Sequence, residues 1–237
     1  MVRGSRRRGR LLVLPILAAL LIVGFVGVDA WVREQAEQRL AAAVLERLGA
    51  DQASVSIASW PFLTAMPADR LERVHLVVAD VPVDVAGRSG VVNQVTATAL
   101  GIQRFRDPAQ ARAERVTGIV RMDWTQVAAV TGLALRPAGK GRVALDQTVK
   151  VLDASLPVVL EATVGVAPDG TLTLSDATLS GAGLEVSAEL VDRLLAGLAA
   201  QMRLPTAAGL VYTGLESTED GLRAELSGSD VRLSELG

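Results

Sequence analysis

Beyond Gly49 the apolar residues of this chain stop recurring every four positions and begin recurring every two. A period of four lays a stripe along a helix, whereas a period of two lays one face along a strand, so this switch sets the architecture of everything that follows. Before it, "WVREQAEQRLAAAVLERLG" reads as a helix with Val32, Ala36, Leu40, Val44 and Leu48 on one face and Gly49 as its stop. After it comes "RVHLVVADVPVDV", in which His75, Val77, Ala79, Val81, Val83 and Val85 share a face. "VVNQVTATALGI", "RVTGIVRM", "RVALDQTVKVL", "LPVVLEATVGV", "GTLTLSDATL", "GLRAELS" and "DVRL" are further strand candidates. Leu156, Val158, Leu160, Ala162, Val164 and Val166 alternate cleanly, as do Leu222, Ala224 and Leu226. "PDG" at Pro168–Gly170 and "EDG" at Glu219–Gly221 mark turns between strands.

Two short helices interrupt the strands. "DWTQVAAVTG" carries Asp123 as N-cap, Gln126 to complete a capping box and Gly132 as stop. "SAELVDRLLAGLAAQM" begins at Ser187 and presents Leu190, Leu194, Leu198 and Met202 on one face. The expected fold is α+β: a curled antiparallel sheet, or an elongated β-barrel-like domain, with helices packed on it. Residues 29–237 read as a single domain, since no linker or low-complexity tract divides them.

Residues 1–10 hold five arginines, and Leu11–Val28 follows as 18 residues without a charge. As a helix this run spans about 27 Å, close to the ~30 Å apolar thickness of a bilayer. Arginines on its N-terminal flank keep that end cytoplasmic and send the body to the far side. Two readings stay open: a single-pass anchor, or a signal segment cleaved near Ala30. Without those five arginines the chain's net charge falls from −2 to −7, and so acidic a body offers no basic surface to nucleic acid.

The absence of cysteine excludes disulfides, thiolate catalysis and Cys-ligated metals, and the single histidine, His75, has no imidazole partner. No G-x-S-x-G, H-E-x-x-H, P-loop or G-x-G-x-x-G motif is present, and "STED" at 217–220 leads into a turn glycine. No cofactor and no enzymatic activity are expected. With 3 Trp, 3 Phe and 1 Tyr, the interior must be built from small aliphatics. Such an interior either packs solid or leaves room for an elongated ligand, and composition does not choose between these.

The helix ending "RLAAAVLERLGA", the following "VSIASWPFLTAM" and the valine-rich strand resemble the LmeA-like phospholipid-binding family of the actinobacterial cell envelope. The family's most recognisable stretch is matched by Trp60, Pro61, Phe62, Leu63 and Thr64, with Trp60 standing where a glycine is commoner. "GIVRMDWTQVAAVTGL" and "GLRAELSGSDVRL" fit its later segments. The resemblance implies a domain similar to tubular lipid-binding folds, with an apolar tunnel for a phospholipid acyl chain. It further implies an exported protein at the cytoplasmic membrane that supports lipoglycan (lipomannan-type) assembly. The candidate lipid-contacting residues are then Trp60, Phe62, Leu63, Val77, Val83, Val120, Trp124, Val158, Leu160 and Val164. Pro61 fixes φ and lacks a donor, so the segment around it is expected to be a strand edge or bulge, with its rings either at the tunnel wall or plugging one end of the core. The rival reading is a membrane-anchored scaffold with a filled core that docks on an envelope glycosyltransferase.

Overall fold

The computed structural model describes residues 29–59, 62–85, 87–107, 109–139, 141–151, 154–181, 204 and 209–235. The apolar run 11–28, Trp60, Pro61 and the helix expected from Ser187 lie outside the described residues. Among the described residues, no helix is long and apolar enough to cross a membrane.

The described strands form two antiparallel sheets, not one. The first orders β1 (Gln52–Ile57), β2 (Arg70–Val85), β3 (Arg88–Gln103), β4 (Arg112–Asp123), β10 (Gly221–Arg232) and β9 (Val211–Ser217). The second orders β5 (Leu135–Pro137), β6 (Arg142–Val151), β7 (Ala154–Val166) and β8 (Leu172–Ser180). Among the described residues neither sheet closes on itself, so the expected single curled sheet or barrel gives way to two open sheets, while the α+β class stands. The sheets meet near β9, where the Ser217 hydroxyl donates to the Arg142 carbonyl at 3.0 Å.

Simple alternation fails along three strands because single aspartates adopt the left-handed conformation within them. Asp80 (φ 55°) in β2, Asp176 (φ 51°) in β8 and Asp230 (φ 50°) in β10 each invert which side chains face inward. In β2 the inward set passes from Val74, Leu76 and Val78 to Val81 and Val83. His75 and Val77 therefore lie on the opposite face from Val81 and Val83, correcting the single face expected from the sequence. In β10 the inward set passes from Leu222 and Ala224 to Val231. Aspartate tolerates this conformation better than most residues because its short side chain bonds locally. Beside Asp176 the β7–β8 register also shifts, a bulge that bends the strand and increases twist.

The inward face of the first sheet is filled at one end and hollow at the other. Helix α1 (29–48) covers the filled end. Its Val32, Ala36 and Ala41 pack on a cluster of Val55, Ile57, Phe62, Leu71, Ile102 and Val231, and its Val44 and Leu48 pack on Val78, Val81 and Val92. Leu40, expected on this face, is 43% exposed. Ala41 packs on the filled cluster, and nothing in the structure explains why Leu40 does not. Glu37 accepts the Ile57 amide at 2.7 Å, tying α1 to β1. Gly49 (φ 62°) ends the helix, as its position in the sequence suggests.

The segment after Pro61 is not extended. Phe62–Ala68 forms a short helix, α2, and the Phe62 ring is buried at 2% exposure in the filled cluster. Proline directly before a helical turn is as compatible as proline at a strand edge, since the first turn needs no amide donor there.

Candidate functional site

Opposite the filled end, the two sheets enclose a cavity of about 850 Å³. Well-packed interiors leave few voids larger than a water molecule, whereas small-molecule sites span roughly 300–1,000 Å³, so this volume is no packing defect. The first sheet contributes Val83, Val92, Val120, Leu222 and Ala224 to its wall; the second contributes Leu145, Leu160, Ala162, Val164 and Leu174. These are the inward positions of alternating strands, and short aliphatic side chains do not reach across to fill the space between the sheets.

Helix α3 (Trp124–Thr131) forms a third wall through Val127 and Val130, which are 1% and 9% exposed. Its placement is over-determined. The Asp123 carboxylate accepts the Gln126 amide at 2.8 Å, and the Asp123 amide donates to Asn93 Oδ1 at 2.8 Å. Gln126 does not close the expected capping box; its Oε1 accepts the Val91 amide at 2.9 Å and pins the helix to β3. The Trp124 indole donates to the Glu219 carbonyl at 3.1 Å, fastening the helix start to the β9–β10 turn. Gly132 (φ 72°) closes the other end, its amide bonding the Ala128 carbonyl.

Of the ten residues picked from the sequence, Val83, Val120, Leu160 and Val164 line this cavity. Val158 shares the inward face of β7 and is buried but lies outside the lining. Phe62 belongs to the filled cluster, Val77 to the outward face of β2, and Trp124 to the anchor of α3. Leu63 lies in α2, with its side chain outside the described residues, as is all of Trp60. Val92, Met122, Val127, Tyr212, Leu215 and Leu222, not expected at the site from sequence, also stand in the lining. For Leu222 the signal was available, because its alternation with Ala224 and Leu226 marks an inward face.

The polar part of the lining gathers where the β2–β3 hairpin meets the end of α3, at Asp84, Arg88 and Thr131. Asp84 and Arg88 are exposed, so the cavity reaches the surface there. Burial raises the Tyr212 phenol above its ordinary range, favouring the neutral form that an apolar wall requires. Among the described residues no cluster of His, Cys, Asp or Glu could hold a metal ion. His75 lies away from the cavity, its Nδ1 3.0 Å from the Thr98 hydroxyl on the exposed face of the first sheet. The described lining contains a single carboxylate, Asp84, and so presents no pair of the kind that acid–base hydrolysis uses. What the arrangement can do is keep hydrocarbon away from water.

The family model described as LmeA-like phospholipid-binding matches residues 27–227. No curated protein and no solved structure matches the chain.

Proposed function

Because the chain belongs to the LmeA-like phospholipid-binding family, we propose that it shelters phospholipid acyl chain between its two sheets. The observation that carries this reading is the aliphatic cavity of about 850 Å³. Acyl chain moved from a bilayer into this cavity exchanges one hydrocarbon environment for another, whereas exposure to water costs about 0.8 kcal/mol per methylene. Such a protein lowers the barrier to lipid exchange without an energy source, consistent with a chain that has no nucleotide motif. The role is binding, not catalysis. A scaffold with a solid core is disfavoured by the same void, and no described surface feature singles out a glycosyltransferase as partner.

Titration of the delipidated full-length protein in detergent with a fluorescent phosphatidylglycerol tests the proposal. Saturable binding at about one lipid per chain is expected; signal that rises without saturating would count against a defined site.

The location proposed is the outer side of the cytoplasmic membrane, where the protein serves envelope lipid or lipoglycan assembly. The arginines of residues 1–10 followed by an 18-residue uncharged run support this orientation. A reporter active only outside the cytoplasm, fused after Gly237, should be active. Activity of a cytoplasmic reporter at that position instead would reverse the assignment.

A further inference from the structure

Among the described residues the cavity's rim holds one basic side chain, and its surroundings leave it able to receive an anion. Resting on the phospholipid-binding reading above, we propose that Arg88 recognises the phosphate diester of the bound lipid's headgroup. Arg88 begins β3 at the exposed end of the cavity. Its Nη1 donates to the Thr131 carbonyl at the end of α3, which fixes the guanidinium at the rim and leaves its other N–H groups available. Gly132 makes this placement possible: a Cβ there would come within 2.7 Å of the guanidinium carbon. Among the described residues no carboxylate forms an ion pair with Arg88. Asp84, the acidic neighbour on the same rim, is engaged elsewhere, its two oxygens accepting the Gly87 amide at 3.0 Å and the Ser89 hydroxyl at 3.3 Å.

The chemistry follows from this geometry. A lipid whose chains lie between Val83, Val120, Leu160 and Val164 has its glycerol at the open end, where solvent and Arg88 meet. A guanidinium offers a planar fork of donors that matches two phosphate oxygens, which an ammonium does not. The site would thus select lipids bearing a phosphate over neutral lipids with the same chains.

The test compares the full-length protein with Arg88→Gln and Arg88→Lys, each titrated in detergent with phosphatidylglycerol and with diacylglycerol of identical chains. Arg88→Gln should weaken phosphatidylglycerol binding at least about tenfold, the usual effect of losing a charged hydrogen bond. It should leave diacylglycerol binding unchanged, which also reports that the variant is folded. Arg88→Lys should fall between the two, because it keeps the charge and loses the fork. Inorganic phosphate added as competitor should not displace phosphatidylglycerol; displacement would mean that the site takes free phosphate and not a headgroup. Equal phosphatidylglycerol affinity in the parent and Arg88→Gln overturns this inference alone. Failure of the parent to bind either lipid overturns the binding reading on which it rests.

Discussion

Val164→Phe should abolish binding of phospholipid while leaving the melting temperature of the protein unchanged or slightly raised. Val164 lines the cavity, and a phenyl ring there occupies space that the described residues leave open. The matched variant is Val158→Phe, on the same inward face of the same strand. Val158 is 5% exposed and lies outside the lining, so the added atoms have nowhere to go. Overpacking of this kind costs about 1–3 kcal/mol. Lipid titration and thermal unfolding should therefore separate the two variants in opposite directions. If Val164→Phe destabilised the protein as much as Val158→Phe and lipid binding survived, the space between the sheets would not be the site.

Phe62→Ala should have the largest effect on stability and little on the site. The ring is 2% exposed among Ile57, Leu71, Ile102 and Val231, away from the cavity wall. Its removal should cost about 3–5 kcal/mol, seen as a fall in melting temperature of roughly 6–20 °C for a domain of this size. Below that temperature the variant should bind phospholipid with the parent's affinity. A small loss of stability accompanied by loss of lipid binding would return the ring to the tunnel wall.

Much of this fold was legible because local patterns report local structure. Gly49, Asp123 and Gly132 mark helix ends through their own backbone and side-chain chemistry, and each acts at the position its type suggests. The "PDG" and "EDG" turns join β7 to β8 and β9 to β10 for the same reason. The inversions at Asp80, Asp176 and Asp230 were not legible, since an aspartate inside a strand pattern reads equally well as an outward polar residue. The division into two sheets was hidden more deeply: β4 pairs with β10, from Gly221 opposite Asp123 to Arg232 opposite Arg112, and no periodicity names a partner so far along the chain.

The site was legible in part. Val83, Val120, Leu160 and Val164 could be picked as inward-facing, but alternation does not distinguish the wall of a cavity from the wall of a filled core. Phe62 shows the cost of that ambiguity. A large ring in a family motif suits the ligand's wall and the plug of a core equally, and α2 settles it as the plug, turning the ring into the solid end beneath α1. The placement of Arg88 was not legible because it depends on neighbours in space, the Thr131 carbonyl and Gly132, which lie more than 40 residues away in sequence.

Native mass spectrometry of the full-length protein, released from detergent after incubation with phospholipid, reads directly whether the cavity holds lipid. The predicted spectrum contains a population heavier than the bare chain by the mass of one phospholipid, and that population is lost in Val164→Phe. A spectrum showing only the bare chain at every phospholipid concentration would mean that the space between the sheets is not a lipid site.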